Sequence, residues 1–530
     1  MARRAVPLDA AAPGGALLAR VPGWIAGGLV AALTLGALIA VIGQASPGGR
    51  IGSAADWAAI RFTLVQALLS AGFSTALAVP LARALARRRF PGRRLLIALF
   101  GAPFILPVIV AVLGLVTVFG RAGWVSTGLG LAGLPPLQIY GLHGVVLAHV
   151  FFNLPLATRL VLQGWQEIPA EQFRLAAQLD AAPRDIGRLL ERPMLRRTLP
   201  GAAAVIFAIC LSSFAVALTL GGGPRATTIE LAIYQAFRIE FDLGRAAWLA
   251  CMQIALTFGA ALLALRLGRG ESLGTGLGRA LDRWDGATLR HRLLDALLIA
   301  LAALLLLLPL AAVVAAGVPG LWALPPVVRG AALNSVLVAL ASTLVMLLIA
   351  LPMSAAAVAG RGRGVVELAA LLGLAVSPLV IGTGLFIIIN PLADPLLMAL
   401  PLTGAVNAVM ALPFAMRILL PRARQVAAQD GRLAQSLGLG QWWFTRRILL
   451  PRMRAQIGFA AGLSAALSMG DLGVIALFAS PGQKTLPLVV YELMGSYRME
   501  ASAAAALLLL VLSMSLFWLF DRGGKFHAEA

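Results

Sequence analysis

The segment GRLAQSLGLGQWWFTRRILLPRMR, residues Gly431–Arg454, lies between two long apolar runs and carries tryptophan and arginine side by side. A degenerate relative of it, FRLAAQLDAAPRDIGRLLERPMLRR, occupies Phe173–Arg197. Both segments are too polar to cross a membrane, and each is followed by an apolar stretch that is long enough to do so. A chain that carries such a segment twice is predicted to contain an internal repeat.

Composition indicates a membrane protein. Of the 530 residues, 60% are hydrophobic and 12% are charged, against about 45–50% and about 25% in soluble domains. The period-2 pattern of a membrane barrel is absent, so helices are expected. The sequence predicts an all-α polytopic membrane protein with twelve transmembrane helices, from runs near 22–43, 59–82, 95–119, 140–163, 199–220, 246–267, 292–316, 331–359, 365–390, 403–420, 454–478 and 501–520.

The net charge of +21 comes almost entirely from arginine. The arginines cluster in the connections after the second, fourth, sixth, eighth and tenth runs, which is the positive-inside pattern. This pattern predicts cytoplasmic N- and C-termini and a first run that is retained as a span. No nucleic-acid-binding motif accompanies the arginines, so no nucleic-acid partner is expected.

Matches at fixed offsets divide the chain into two halves. The first half is predicted to cover residues 1–267 and the second 292–530, with six spans each in the same orientation and a cytoplasmic linker at 268–291. The matches are Leu154, Pro155, Arg159 and Pro193 with Leu412, Pro413, Arg417 and Pro451 (offset 258), Thr63 and Pro80 with Ser335 and Pro352 (offset 272), and Thr227–Tyr234 with Lys484–Tyr491 (offset 257).

The repeated polar segment predicts two short helices joined by a tight turn. In the second copy, Gly438 is a natural helix stop because glycine adopts the left-handed conformation, and Pro451 is expected to break the second helix before the next span. Trp442 lies beside arginines, a combination that favours protein docking. The alternative is an amphipathic helix that rests on lipid headgroups. The duplication favours docking onto a symmetric cytoplasmic partner with two sites.

These residues resemble the EAA loop of ATP-binding-cassette (ABC) importer permeases. The first EAA-like loop is placed at about 166–198 and the second at about 424–454. The second copy matches the motif at Ala434, Gly438, Ile448, Leu450 and Pro451, whereas Arg432 and Leu433 replace its Glu and first Ala. The first copy matches at Ala176 and Pro193, with Asp180 in place of the Gly, Leu190 in place of the Ile and Arg192 in place of the Leu. Asp180 can still turn the chain, because Asp tolerates the left-handed region.

The resemblance implies two tandem six-helix type I ABC-importer permease repeats. Each loop would dock on one subunit of a cytoplasmic ABC ATPase homodimer, whose closure would drive alternating access. Neither lysine lies in the Gly-Lys-Ser/Thr sequence of a phosphate-binding Walker A loop, because Lys484 follows Gln483, and Lys525, although it follows Gly524, precedes Phe526. ATP and Mg²⁺ are therefore expected on a separate ATPase chain, and this chain is expected to be no enzyme and to bind no cofactor or metal.

Longer stretches resemble the fused permeases of bacterial thiamine or thiamine pyrophosphate importers. This resemblance implies an inner-membrane location and a periplasmic substrate-binding protein as donor. Fused ferric-iron importer permeases are the alternative family, a non-transport membrane scaffold that docks a cytoplasmic dimer is an alternative of another class, and an intramembrane enzyme is disfavoured. The stretches are LARRRFPGRRLL, LPVIVAVLGLVTVFGRAGW, YGLHGVVLAHVFFNLPLATRLVLQGWQEIPAEQFRLAAQL, SFAVALTLGGGPRATTIELAIYQAF and GSYR.

Four residues are candidates for a substrate pathway. Asp471 lies within the eleventh run, where an acidic side chain indicates function or a helix–helix hydrogen bond. Glu230, Tyr234 and Tyr491 are placed in outer loops, where they could line the mouth or contact the binding protein. His149 and Asn153 are expected to form hydrogen bonds between packed helices.

Overall fold

The computed structural model defines residues 13–45, 52–101, 105–223, 226–267, 288–358 and 376–525, together with Gly286 and scattered residues between 364 and 373. Within these residues the chain forms helices joined by turns, and no strand is present. The predicted all-α class is therefore confirmed. Residues 268–285 of the predicted linker lie outside the described residues, and the boundaries of the two halves stay a prediction.

The first half of the chain contains twelve described helices. They are α1 (Pro13–Gln44), α2 (Ala54–Arg87), α3 (Arg93–Leu99), α4 (Val108–Phe119), α5 (Trp124–Leu131), α6 (Leu142–Glu167), α7 (Ala170–Gln178), α8 (Pro183–Ile186), α9 (Arg192–Leu211), α10 (Ala215–Leu220), α11 (Ile229–Arg238) and α12 (Leu243–Leu267). A five-residue π-helix, Gly187–Glu191, joins α8 to α9.

The described part of the second half contains ten α-helices in a similar order, and a 3-10 helix, Pro319–Ala323, follows the first of them. Its helices are α13 (Leu289–Gly317), α14 (Pro326–Val358), α15 (Pro378–Ile389), α16 (Ala399–Ser436), α17 (Gln441–Phe444), α18 (Leu450–Arg452), α19 (Arg454–Met469), α20 (Gly473–Phe478), α21 (Leu486–Gly495) and α22 (Met499–Lys525). A second five-residue π-helix, Thr445–Leu449, joins α17 to α18.

In the described part of the chain, eleven helical segments are long and apolar enough to cross a membrane. The ninth predicted run is not among them, because α15 has only 12 residues and most of the chain before it lies outside the described residues. Ile25, Ile39 and Leu348 are 65–69% exposed, as expected of helices that face lipid. A multi-pass membrane protein is confirmed, and the count of twelve spans stays a prediction.

Several predicted spans are broken inside the bundle rather than continuous. The fifth run divides into α9 and α10 at 212–214, and the eleventh divides into α19 and α20 at 470–472, at the offset of 258. The third run is also interrupted, between α3 and α4. Hydropathy did not indicate these breaks, because the residues on both sides are equally apolar.

The two halves repeat the same local contacts. The hydroxyl oxygen of Thr63 on α2 accepts a hydrogen bond from the backbone amide of Ile229 at 2.9 Å. The hydroxyl oxygen of Ser335 on α14 accepts one from the amide of Leu486 at 2.7 Å. The match between Thr63 and Ser335 therefore corresponds to a real structural equivalence: each hydroxyl holds the start of a short helix, α11 or α21, inside the bundle.

The first helix of each half packs on the opposite half. α1 packs against α14 and α15, and α13 packs against α2 and α4. Gly384 on α15 lies so close to α1 that an added Cβ would be 2.3 Å from the carbonyl oxygen of Ala37. In the same way, a Cβ added to Gly114 on α4 would be 2.4 Å from the carbonyl oxygen of Pro309 on α13. These two close approaches interlock the halves.

Candidate functional site

The second EAA-like loop begins inside a long helix. α16 runs unbroken for 38 residues, so the predicted first short helix is in fact the end of a span, which corrects the sequence prediction. The helix ends at Ser436, and Gly438 takes the left-handed conformation with φ of +68°. The amide of Leu439 donates to the carbonyl oxygen of Ala434 at 2.9 Å, and the amide of Gly438 donates to Gln435 at 3.0 Å. This is the Schellman pattern, which satisfies carbonyls at a helix end.

The first EAA-like loop makes the same turn with a different residue. Asp180 has a φ of +47°, and the amide of Ala181 donates to the carbonyl oxygen of Ala176 at 3.0 Å. The amide of Asp180 itself donates to Ala177 at 3.2 Å. Aspartate thus adopts the left-handed conformation at the position of Gly438, as predicted. Unlike its counterpart, this turn follows a separate short helix, α7, because α6 ends at Glu167.

In both loops a π-helix precedes the proline, and the two prolines are related by the offset of 258. Pro193 follows the π-helix Gly187–Glu191, and Pro451 follows the π-helix Thr445–Leu449. Proline has no amide hydrogen and crowds the carbonyl four residues before it, and a π turn relieves that conflict locally. The expectation that Pro451 breaks the helix is wrong: the chain stays helical through Pro451 and is interrupted only at Met453.

Both loops expose a pair of leucines at helical spacing. Leu433 and Leu437 are 60% and 66% exposed, and Leu175 and Leu179 are 56% and 71% exposed. The two pairs are related by the offset of 258 and stand just before the two left-handed residues. The exposure of these leucines was not predicted, although the offset of 258 and the helical spacing relate all four.

The predicted loop residues divide into buried and exposed groups. Ala434 is buried, and Ala176, Leu190, Ile448, Leu450 and Pro451 are half-buried against the spans. Asp180, Pro193 and Gly438 are exposed, as is Trp442 at 55%. The neighbouring Trp443 lies under the guanidinium of Arg447, 5.5 Å from the ring centre. The second loop therefore presents apolar and cationic surface together, while its alanine and aliphatic residues hold it to the bundle.

Asp471 lies at the break between α19 and α20. Its Oδ1 accepts a hydrogen bond from the amide of Gly473 at 3.2 Å, so the carboxylate caps the start of α20. Its Oδ2 is buried and has no hydrogen-bond partner among the residues that the structure describes. The side chain is thus oriented by its own turn, and the side chain of Asn407 on α16 also interacts with it, in line with the predicted contact between helices.

Ser213, the counterpart of Asp471, belongs to a polar network between helices. The hydroxyl of Ser213 lies 2.7 Å from Nε2 of His149, and the hydroxyl of Ser70 lies 3.1 Å from Nδ1 of the same ring. The amide nitrogen of Asn153 donates to Sγ of Cys210 at 3.3 Å. The prediction that His149 and Asn153 form hydrogen bonds between packed helices is confirmed.

Glu230 is completely buried between the two halves. It lies in the first turn of α11, where the hydroxyl of Ser377, at the start of α15, donates to its Oε2 at 2.8 Å. Its Oε1 has no hydrogen-bond partner in the described part of the chain. The predicted outer-loop position of Glu230 is therefore wrong, because the chain turns back into the bundle after α10.

Tyr234 and Tyr491 are also on helices rather than in outer loops. Tyr234 lies one turn after Glu230 on α11 and packs against Phe214 with ring centres 5.4 Å apart. Tyr491 is half-buried on α21, the counterpart of α11. Phe237 of the first half packs edge-on against Phe386 of the second at 4.6 Å. An aromatic and acidic surface thus lines the junction of the halves.

Asp471 and Phe214 meet at Gly473. A Cβ on Gly473 would lie 3.6 Å from Phe214, 3.8 Å from Oδ1 of Asp471 and 4.0 Å from Leu379. Phe214 also packs on Tyr234, and Leu379 receives its cap from Ser377, the partner of Glu230. Asp471, at the break between α19 and α20, and Glu230 and Tyr234, on α11, therefore lie close to the junction, and Tyr491 lies on α21, the counterpart of α11. Among the described residues, no group of three or more His, Cys, Asp or Glu could hold a metal ion.

Comparison with known proteins gives relatives along nearly the whole chain, although no protein-family model matches it. The chain is 40% identical over 528 residues to the thiamine transport system permease protein ThiP of Salmonella typhimurium, covering 96% of this chain and 98% of that protein. It is 41% identical over 525 residues to ThiP of Escherichia coli strain K12, covering 95% and 97%. It is 40% identical over 524 residues to ThiP of Brucella abortus strain 2308, covering 96% of each.

Proposed function

Because the chain belongs to the family of thiamine transport system permease proteins, which are ABC transporter permeases, we propose that it moves thiamine or its phosphate esters into the cell. It would receive the substrate from a periplasmic binding protein and release it to the cytoplasm by alternating access. The relatives' names supply the substrate class. The observation that carries the transport mechanism is the pair of loops, 258 residues apart, with the same turn and the same exposed leucines.

The two loops are the docking sites for an ABC ATPase homodimer. Each left-handed turn holds its leucine pair at the exposed end of a helix, where an apolar ridge can enter a groove of a partner. Two equivalent ridges fit a partner with two equivalent grooves. ATP and Mg²⁺ bind to that partner, and its closure pulls on both loops. Packed helices transmit such a movement as rigid bodies.

The substrate pathway follows the junction of the halves. Discontinuous spans near the centre of a bundle are where transporters place their binding sites, and α9/α10 and α19/α20 are both broken there. Glu230 and Asp471 supply negative charge for the thiamine cation, and Tyr234 and Tyr491 supply aromatic faces for its rings. In the described conformation Glu230 is sealed between the halves, so the halves must separate to expose it.

The arginine-rich loops set the orientation. With both EAA-like loops on the side of the ATPase, the N- and C-termini lie in the cytoplasm and the chain lies in the bacterial inner membrane, surrounded by lipid. Ferric iron is the less favoured substrate, because the relatives that match nearly the whole chain are named for thiamine transport. The broken spans are typical of transporters and favour transport over a non-transport scaffold.

Uptake of labelled thiamine tests the proposal. Cells that lack this chain should lose thiamine uptake, keep ferric-iron uptake, and recover the former when the intact chain is supplied. Loss of iron uptake alone would show that ferric iron, the alternative, is the substrate. If neither uptake changed, the transport function itself would be refuted.

Glu230→Gln is expected to lower thiamine uptake while it stabilises the folded chain. Glutamine still accepts a hydrogen bond from Ser377, but it removes a buried carboxylate with an unpartnered oxygen, a type of group that costs about 1–3 kcal/mol. Thermal unfolding in detergent and uptake at several thiamine concentrations measure the two effects. Glu500→Gln removes an exposed acid on α22 and serves as the control. Unchanged uptake by the Glu230 variant would remove Glu230 from the pathway.

A further inference from the structure

Glu191 anchors the first EAA-like loop to α2. It is the last residue of the π-helix and is 4% exposed. Its Oε1 accepts hydrogen bonds from Nε of Arg83 at 3.1 Å and from the indole nitrogen of Trp165 at 3.2 Å, and its Oε2 lies 3.0 Å from Nη2 of Arg83. A buried carboxylate with two donor side chains therefore fixes the loop to the bundle.

The same end of α2 is bound to the second half. Arg87 forms a two-bond contact with Asp295 on α13, with Nε to Oδ2 at 2.8 Å and Nη2 to Oδ1 at 2.7 Å. Arg88 adds a bond from Nε to Oδ2 at 2.7 Å. Asp295 is 2% exposed. Because Arg83 and Arg87 are four residues apart, they lie on the same face of α2.

The second half fills the equivalent positions with apolar or small residues. Leu449, Ala355 and Ala423 are the counterparts of Glu191, Arg83 and Trp165, and all three are buried. The counterpart of Asp295 is Gly23, which packs directly on the Cβ of Ala356. Apolar replacements of buried ion pairs are often as stable or more stable. The second loop is therefore held to the bundle without these ion pairs.

The two loops also differ in how they join their spans. The second loop continues α16 without interruption, whereas the first is separated from α6 by Ile168 and Pro169. A movement of the second loop is carried directly by its helix. The first loop runs into α9 at its other end, and Glu191 adds a side-chain connection from that end to α2 through Arg83.

We propose that the arginine-bearing end of α2 (Arg83, Arg87 and Arg88) is a junction that positions the first EAA-like loop and makes it move with α13 of the second half. This rests on the proposed coupling of both loops to an ATPase. Glu191 and Asp295 are positioning residues, and neither touches substrate or ATP. The two coupling routes are unequal: the second loop is continuous with the span before it, whereas the first loop is separated from the span before it and has the charged junction with α2 in addition.

A spin-label measurement tests the junction without the ATPase. Labels at Leu179 and Leu437, on the exposed ends of the two loops, are expected to give one narrow distance distribution in the otherwise unaltered chain. Glu191→Gln, which keeps the side-chain volume but removes the charge, should broaden it. Arg83→Ala/Glu191→Leu, which installs the residues of the second half, should fold normally and broaden it as well. An unchanged distribution in both variants would overturn the proposal.

The functional test compares assembled complexes. In complexes with equal amounts of bound ATPase, Arg83→Ala/Glu191→Leu should keep basal ATP hydrolysis. The stimulation of hydrolysis by the loaded binding protein should fall about tenfold, which is the size of effect that mutations in coupling networks have. Glu191→Gln combined with Asp295→Asn should lose no more than the worse single variant, because both break one junction. Full stimulation, or losses that multiply, would refute the junction. Absent stimulation in the unaltered complex would instead refute the proposed function.

Discussion

Gly438→Pro is expected to abolish the stimulation of ATP hydrolysis by the loaded binding protein, and with it thiamine uptake, while the chain still inserts into the membrane. Gly438 has a φ of +68°, and proline requires a φ near −65°. Proline would also remove the hydrogen bond from the amide of Gly438 to Gln435. The turn that presents Leu433 and Leu437 would therefore be lost. Hydrolysis and uptake by the purified, reconstituted complex measure the effect.

Gly440→Pro is the matched control for this prediction. Gly440 lies two residues further on, just before α17, and its φ of −64° is already that of proline. This variant should couple nearly normally. If Gly438→Pro coupled as well as Gly440→Pro, the left-handed turn would have no part in docking.

Gly384→Ala is expected to prevent stable assembly of the two halves. The added Cβ would lie 2.3 Å from the carbonyl oxygen and 2.7 Å from Cα of Ala37, and these are backbone atoms that no rotamer change can move away. Overpacking of a tight interface costs typically about 1–3 kcal/mol, and α1 would have to shift as a whole. The yield of folded protein and its thermal unfolding in detergent measure the loss.

Gly404→Ala is expected to change the stability in the opposite direction. Gly404 lies within α16, and the nearest heavy atom to its added Cβ is 4.0 Å away. Alanine there should raise stability by up to about 1 kcal/mol, because glycine is a poor helix former. Gly114→Ala should resemble Gly384→Ala, since it meets the carbonyl oxygen of Pro309 at 2.4 Å. A Gly384→Ala chain as stable as the unaltered chain would contradict the interlocked packing of α1 on α15.

The sequence predicted local backbone structure correctly where one residue type determines the conformation. The left-handed turns at Gly438 and Asp180 follow from the two residue types that tolerate this conformation. Thr63 and Ser335 were paired by offset alone, and the structure gives them the same contact. Each of these inferences depends on a residue's own backbone or on the repeat, so no knowledge of distant contacts was needed.

The misplaced residues depend on tertiary contacts. Glu230 and Tyr234 follow an apolar run, and hydropathy cannot indicate that the chain turns back into the bundle before α11. The breaks beside Asp471 and Ser213 lie between stretches that are equally apolar, so hydropathy did not indicate them. The contact of Glu191 with Arg83 joins residues that are 108 positions apart. The π-helices before Pro193 and Pro451 also went unpredicted, because proline indicates a conflict but not how the backbone resolves it.

Vectorial transport by a reconstituted complex tests the central claim most directly. This chain, the ATPase homodimer and the binding protein loaded with labelled thiamine would be combined in liposomes, with ATP on the side of the EAA-like loops and the binding protein on the other. Thiamine should accumulate on the ATP side only when all three proteins and ATP are present, and it should not do so with the Gly438→Pro chain. An assembled complex that hydrolyses ATP without moving thiamine would contradict the assignment of this chain as a thiamine importer subunit.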